Sequence, residues 1–252
     1  MHAVDVGTGT PLFLLHGFGV DHRLLLPLDP VIGAADGWRR IYLDLPGTTG
    51  TPIGEVASTR DVVDAVEREI AERIGDEPFA VLGNSFGAMV ARQVAHDLRP
   101  RVLGLATLAG VFVAEHARRV VPPQTVLRTD PRASATAGAA AEDYAEMAVV
   151  QSVESARAFL EHVQPGLDAA DARQPLLIGC VQPGLDAADE EGLARIATRY
   201  ALEQEPEDAD PEPFTQPCLM ISARHDQVVG YEDAWARREH YPRGVSPTEW
   251  CN

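Results

Sequence analysis

Short continuous apolar runs recur along the chain, and polar residues rarely interrupt them. Each run has the length of a strand and is followed by a glycine, an aspartate or a turn sequence. Uninterrupted apolar runs of this length are typical of strands that are buried on both faces of a parallel sheet. The pattern predicts strands over residues 11–16, 40–44, 79–83, 102–106 and 217–222.

Amphipathic stretches separate these predicted strands. Ser58 and Asp61 resemble a capping box, and the apolar residues after them recur at helical spacing, so a helix is predicted from about Ser58. Further helices are predicted over 86–98 and around 231–240. Strands that alternate with helices predict an α/β fold with a mostly parallel sheet and helices on both faces.

The alternation stops at about residue 112 and resumes near residue 213. Between these points the chain is charged, rich in alanine and helical in pattern. We therefore expect an α/β core made of residues 1–111 and 213–252, with a helical cap inserted at 112–212. A chain of 252 residues suits one such core with an insertion. The terminal strands are expected to be reduced, because few residues precede the first apolar run and prolines interrupt the last stretch.

A nine-residue stretch of the predicted cap occurs twice. Residues 163–171 and 181–189 share the sequence Val-Gln-Pro-Gly-Leu-Asp-Ala-Ala-Asp, at an offset of 18 positions. Two copies are too few for a solenoid, so a local duplication is the simpler explanation. We expect this duplication to lengthen a mobile loop of the cap, and we assign it no function.

The negative charge of the chain argues against several classes of binding partner. The formal net charge is −17, and all 21 basic residues are arginine. Nucleic acids and anionic membranes require clustered positive charge, so neither is an expected partner, and strongly anionic substrates are disfavoured. No apolar run approaches the roughly 20 residues of a membrane span. The first residues show no signal-peptide pattern, so we expect a cytoplasmic protein with reduced cysteines.

The strongest chemical signal is the sequence Gly-Asn-Ser-Phe-Gly at 83–87. It follows a predicted buried strand and opens a predicted helix, which is the context of a nucleophile elbow. In such an elbow, small flanking residues permit a strained strand-to-helix turn, and the first N–H groups of the helix favour a developing oxyanion. Ser85 is therefore the candidate nucleophile.

The first predicted strand ends in His-Gly-Phe-Gly at 16–19. Its glycines would let the backbone N–H of Phe18 point at a reacting carbonyl oxygen, and the N–H of Phe86 would be the second donor of an oxyanion hole. His16 is expected to shape this loop by hydrogen bonding rather than to transfer protons. Asp226 follows the last predicted strand, where the carboxyl ends of parallel strands meet. A carboxylate at this edge could orient a catalytic imidazole.

Together with Asp-Leu-Pro-Gly at 44–47 and Arg-His-Asp at 224–226, these motifs resemble the α/β-hydrolase superfamily. The resemblance extends over most of residues 10–240 and is greatest to the capped group of esterases, carbon–carbon bond hydrolases and proline iminopeptidases. It implies a Ser–Asp–His triad in that chain order, an acyl-enzyme mechanism, and no cofactor or metal. Serine at the elbow argues against the dehalogenase and epoxide-hydrolase branches, whose nucleophile is a carboxylate.

The third member of the implied triad has no clear position. The family places its histidine after one more helix and strand beyond the acid, whereas residues 241–252 contain no histidine, are interrupted by two prolines and lack a clear strand pattern. His240 is the nearest candidate in order, but it is expected to be an exposed residue at a helix end. His22 could line the mouth of the pocket. We therefore assign no catalytic base.

Two classes of function remain. The first is a serine hydrolase that acts on small-molecule apolar esters or amides through an acyl-enzyme, with a cofactor-free haloperoxidase-like activity as a variant on the same triad. The second is a non-catalytic or catalytically impaired protein of the same fold that binds an acyl or apolar ligand.

Overall fold

The computed structural model describes residues 1–122, 177–224 and 226–245. Within these residues, seven strands form one sheet in the order β1-β3-β2-β4-β5-β6-β7, and only the pair of β1 with β3 is antiparallel. The predicted mostly parallel α/β sheet is confirmed. The strands are β1 (Ala3–Val6), β2 (Thr10–Leu15), β3 (Trp38–Leu43), β4 (Phe79–Asn84), β5 (Val102–Leu108), β6 (Cys218–Ile221) and β7 (Gly244–Val245).

Helices and single helical turns connect these strands. None of the helices in the described ranges has the length and apolar character needed to cross a bilayer. The α-helices are α1 (Asp29–Gly33), α2 (Thr59–Ile74), α3 (Phe86–Asp97), α4 (Gln182–Ala187), α5 (Glu190–Thr198), α6 (Pro206–Ala209) and α7 (Tyr231–Ala236). A π-helical turn covers Leu177–Val181, and 3₁₀ turns cover His22–Leu24, Leu26–Leu28, Arg99–Arg101, His116–Arg118 and Arg238–His240.

Alternate residues of the central strands serve two separate cores. On one face, Phe13 and Val81 pack in a large cluster with residues of α2 and α3. On the other face, Leu14 and Leu82 belong to a smaller cluster with Tyr42, against residues of the 3₁₀ turns and α1. Because both faces of β2 and β4 are covered, these strands are apolar at nearly every position, as in other buried parallel strands.

The two terminal strands are short, as expected. β1 has four residues and β7 has two. The expectation that the tail lacks a clear strand was wrong, since β7 pairs in parallel with β6. Pro242 precedes Gly244 in a turn closed by the hydrogen bond from Gly244 N to Tyr241 O at 2.8 Å, so it removes no donor from the sheet.

The second copy of the duplicated stretch is helical rather than a loop. Residues 182–187 form α4, which has Pro183 in its first turn, where proline is well tolerated. Leu185 is completely buried, and Gly184 packs against the backbone of Asp21, where a Cβ atom would lie 2.8 Å from the Asp21 nitrogen. The apolar contact at Leu185 therefore overrides the loop-like composition. The first copy, at 163–171, lies outside the described residues.

Candidate active site

Ser85 occupies a strained turn between β4 and α3. Its backbone has φ 51° and ψ −114°, a conformation that residues with a Cβ atom rarely adopt. The turn is held from the end of β5, because Ser85 N donates to Leu108 O at 3.0 Å and Ser85 O accepts from Val111 N at 3.2 Å. Ser85 is half-buried, and no side chain of the described ranges hydrogen-bonds its hydroxyl. This is the geometry that the elbow sequence predicts.

Two glycines make the turn possible. A Cβ atom on Gly83 would lie 2.2 Å from the carbonyl oxygen of Gly87. A Cβ atom on Gly87 would lie 2.3 Å from Leu15 O and 2.4 Å from His16 O. All three distances are far below van der Waals contact and involve backbone atoms. The start of α3 therefore packs directly on the end of β2, which brings Ser85 next to the His-Gly-Phe-Gly loop.

Phe18 and Phe86 lie side by side at this junction. Their rings meet edge to face with centroids 5.1 Å apart, and a Cβ atom on the neighbouring Gly17 would be 3.6 Å from Ser85 Cβ. Phe86 is the first residue of α3, so its N–H has no partner within the helix. Neither that N–H nor the N–H of Phe18 hydrogen-bonds any residue of the described ranges.

Tyr200 completes an aromatic cluster that the sequence analysis missed. Its ring centroid lies 5.6 Å from that of Phe18 and 5.3 Å from that of Phe86. Burial raises the pKa of Tyr200 to about 12, so the phenol stays protonated near neutral pH. The residue follows α5 in the predicted cap, more than 100 positions from Phe86, and only the tertiary fold reveals the contact.

His16 links two loops below the elbow. The side chain is completely buried, with Nδ1 2.7 Å from Gly17 O and Nε2 accepting from Leu45 N at 2.9 Å. Burial lowers the pKa of His16, so the ring is neutral with its proton on Nδ1. Both ring nitrogens are thereby occupied, in agreement with the expected role in shaping the loop.

Asp44 stands at the end of β3 between two histidines. One oxygen accepts from the backbone N–H of His22 at 2.9 Å and lies 2.8 Å from His22 Nδ1, and the other lies 2.6 Å from His2 Nδ1. Burial alone would raise the pKa of Asp44, but the hydrogen bonds from the histidines outweigh it and hold that pKa below its usual value. His22 is buried and turned toward Asp44, which differs from its expected place at the pocket mouth.

Asp226 follows β6 in a tight turn. Its Oδ1 accepts from Val228 N at 2.8 Å and from Val229 N at 2.9 Å, whereas its Oδ2 hydrogen-bonds none of the described residues. Strands β4 and β6 are separated only by β5, so their carboxyl ends lie about 10 Å apart at the same edge of the sheet.

Arg119, which the sequence analysis did not single out, ties the Asp226 turn to the loop after β5. Its guanidinium donates to Val228 O at 2.9 Å, to Val113 O at 2.8 Å and to Ala114 O at 3.1 Å. Three backbone carbonyls on two loops are thus held by one buried cation. The sequence offers no signal for this role, because the carbonyl partners can be of any residue type.

His240 lies far from Ser85. It is half-buried rather than exposed, and its Nε2 is 2.9 Å from Nε2 of His96, with the two rings stacked. His96 is eleven residues beyond Ser85 along α3, which corresponds to about 16 Å of helix. Within the described ranges, no histidine hydrogen-bonds Ser85 or Asp226.

Comparisons with known proteins agree with this geometry. A family model described as alpha/beta hydrolase fold matches residues 10–244. The bifunctional biotin biosynthesis protein BioHC of Cellvibrio japonicus is 38% identical over 102 residues, which are 39% of this chain and 18% of that protein. The pimeloyl-[acyl-carrier protein] methyl ester esterase of Shewanella oneidensis is 32% identical over 133 residues, 50% of this chain and 46% of that protein. The chain thus matches less than half the length of either curated relative.

A solved structure extends the likeness to the whole fold. An alpha/beta superfamily hydrolase from Oenococcus oeni superposes with a TM-score of 0.75 at 22% identity, covering 97% of this chain and 84% of that one. At this identity the superposition supports the fold alone. The elbow, the sheet order and the family match over 10–244 lead to one assignment: the chain belongs to the alpha/beta hydrolase fold family.

Proposed function

We propose that this chain is a serine hydrolase that cleaves small apolar esters or amides through an acyl-enzyme formed on Ser85. The observation that supports it most is the strained positive-φ turn at Ser85, beside which the N–H groups of Phe18 and Phe86 have no hydrogen-bond partner among the described residues. Such a turn costs of order 1–3 kcal/mol and persists where it serves a site. A half-buried serine hydroxyl at the carboxyl edge of a parallel sheet is where such a nucleophile acts.

The proposed roles follow from position. Ser85 Oγ attacks the carbonyl carbon, and the N–H groups of Phe18 and Phe86 donate to the developing oxyanion. The Oδ2 atom of Asp226 is available to hold an imidazole, and the gap of about two strand spacings from β4 can contain one. An imidazole in that gap, which the described residues do not supply, would take the Ser85 proton and return it to the leaving alcohol or amine.

The surroundings of Ser85 favour a neutral acyl group. Phe18, Phe86 and Tyr200 form a buried aromatic cluster beside the elbow, and the net charge of −17 opposes anionic ligands. Relatives named as methyl ester esterases favour an ester over an amide. We further propose that residues 112–212 form a cap that selects the acyl chain.

A second candidate is a non-catalytic ligand binder of the same fold. The observation that favours it is the engagement of His240 with His96, away from both Ser85 and Asp226. Without an imidazole, the Ser85 hydroxyl would remain a weak nucleophile. The fold could still bind an apolar ligand next to the aromatic cluster.

Hydrolysis of p-nitrophenyl acetate and butyrate by the 252-residue chain tests the proposal. We expect turnover that falls by about 10⁴-fold in Ser85→Ala, because only the binding groups and the oxyanion donors remain. Ser222→Ala, the same chemical change outside the elbow, should keep the wild-type rate. Equal background rates for wild type and Ser85→Ala would favour the ligand binder instead.

A further inference from the structure

Three side chains with metal-binding atoms meet at a point that the proposed hydrolysis does not use. His2, His22 and Asp44 place their candidate ligand atoms within 4.8 Å of one another. Nδ1 of His2 and Nδ1 of His22 each lie within 3 Å of a different oxygen of Asp44. The two rings are tilted by 49° with centroids 5.6 Å apart, so they approach the carboxylate without stacking on each other.

We propose that this His2–Asp44–His22 cluster binds a divalent cation of the zinc type. Two imidazole nitrogens and one carboxylate oxygen form a common ligand set for Zn²⁺ when a water molecule takes the fourth position. Ca²⁺ and Mg²⁺ prefer oxygen ligands only, so the cluster discriminates against them.

The backbone already fixes all three residues. His2 N donates to Thr51 Oγ1 at 2.9 Å, and Asp44 N donates to His2 O at 3.0 Å. His22 N donates to Asp44 Oδ1 at 2.9 Å. Zinc bonds of about 2.1 Å in a tetrahedron require ligand atoms about 3.4 Å apart. The ligand atoms now lie between 2.6 Å and at most 4.8 Å apart, so each separation would have to change by no more than about 1.4 Å to reach that spacing.

Burial and charge also suit a cation. The Asp44 side chain is fully buried, whereas the His2 side chain is 44% exposed, so one side of the cluster is open to solvent. An ionised carboxylate with two neutral imidazoles carries one negative charge, which attracts a divalent cation and leaves the loaded cluster with one positive charge. The cation would displace the hydrogen bonds that the ring nitrogens make to Asp44, with water as its fourth ligand.

Binding of a cation to the cluster would link three segments of the chain. His2 precedes β1, Asp44 ends β3, and His22 follows the loop that carries Phe18. A cation held by all three therefore stabilises the native state, increasingly so as the free cation concentration rises above the dissociation constant. This inference rests on the cluster alone and is independent of any activity at Ser85.

Calorimetric titration of ZnCl₂ into the tag-free, chelator-treated chain at pH 7.5 tests the site. We expect one zinc per chain, and an affinity at least about tenfold lower in His2→Ala, which removes the exposed ligand without opening the core. His116→Ala, a histidine outside the cluster, should bind as wild type does, and CaCl₂ should give no saturable heat.

Cobalt provides a second readout. Co²⁺ bound by the cluster should show the visible d–d absorption of a tetrahedral site, and His2→Ala should lose it. Zinc should also raise the melting temperature of wild type but not of His2→Ala. The proposal is overturned if the chain shows no saturable 1:1 zinc binding, or if His2→Ala binds zinc as tightly as wild type.

Discussion

At the scale of single residues, the glycines around Ser85 indicate the strained turn as clearly as the serine itself does. Gly87 is in contact with two backbone carbonyls of the β2 end, and Gly83 contacts Gly87. These contacts explain why the strained strand-to-helix turn at Ser85 could be predicted from a serine flanked by glycines after a buried strand. The spacing of Gly83 and Gly87 around the serine reflects close packing of the backbone, and it can be recognised without knowledge of distant residues.

Gly87→Ala should prevent the elbow from forming. The added Cβ would lie within 2.4 Å of the carbonyl oxygens of Leu15 and His16, so β2 and α3 would have to separate. We expect a loss of more than about 3 kcal/mol in the free energy of unfolding, measured by urea denaturation. Gly179→Ala, where no atom lies within 4 Å of the added Cβ, is the control and should change stability by less than about 1 kcal/mol. A stable Gly87→Ala variant would contradict this packing.

The contacts of Asp44 and Arg119 could not be predicted from the sequence. Asp44 meets His2 and His22, which lie 42 and 22 positions away, and Arg119 reaches Val228 across 109 positions. Their meeting depends on strand order and loop geometry. A single sequence contains no local pattern from which those partners could be identified.

At the scale of secondary-structure elements, local capping signals predicted boundaries well. Ser58 caps α2 as expected, because its Oγ accepts from Asp61 N at 3.2 Å while Asp61 Oδ2 accepts from Ser58 Oγ at 2.8 Å and from Ala57 N at 3.0 Å. These hydrogen bonds, chiefly that from Ala57, lower the pKa of Asp61. The carboxylate is therefore ionised beside the N-terminus of the helix, where negative charge is favoured.

Ser58→Ala should lower stability without altering the fold. Loss of the cap leaves one N–H of the first turn unsatisfied and frees Asp61, at a cost of about 1 kcal/mol. Urea denaturation measures the difference, and Ser58→Thr should restore most of it, because threonine keeps a hydroxyl that can accept from Asp61 N and donate to Asp61 Oδ2. An unchanged midpoint for Ser58→Ala would show that the capping hydrogen bonds contribute nothing to stability.

Elements whose ends depend on tertiary contacts were predicted less well. The helix expected around 231–240 ends at Ala236 and continues as a 3₁₀ turn, and α4 forms where a loop was expected. In both cases packing decides the outcome: His240 stacks on His96, and Leu185 is buried in the main core. Propensity is a weak guide where such contacts form.

At the scale of the whole molecule, buried polar groups join segments that are distant in the chain. Arg92 is fully buried and binds Glu207 and Glu205, and Tyr241 donates to Glu207. Arg92 holds the pKa of Glu207 at about 2 despite its burial. This network attaches the segment before β6 and the segment before β7 to α3. The resemblance to a known family predicted the sheet but not this network.

Stability should decline in mild acid because two buried histidines resist protonation. Burial lowers the pKa of His16 and of His96 below 6.5, so the unfolded chain binds more protons than the native chain below that pH. The free energy of unfolding should therefore level off about one pH unit above 6.5 and fall as the pH drops through 6.5, by up to about 1.4 kcal/mol per pH unit for each histidine.

Urea unfolding at pH 7.5, 6.5 and 5.5 measures this dependence. His96→Gln should reduce the slope between pH 6.5 and 5.5, since one buried histidine that resists protonation is removed. The pair of Arg92 and Glu207 affects the free energy of unfolding in a different pH range. The stabilisation that comes with the lowered pKa of Glu207 is lost only as the pH falls below about 4.5. Stability that rises between pH 6.5 and 5.5 would contradict the neutral, buried state of both imidazoles.

The most direct test of the central claim is mass-spectrometric mapping of the chain after reaction with a fluorophosphonate that modifies activated serines. We expect a single adduct on the peptide that contains Ser85, no adduct in Ser85→Ala, and unchanged labelling in Ser222→Ala. An unlabelled wild-type chain, or an adduct on any other residue, would contradict the assignment of Ser85 as the nucleophile.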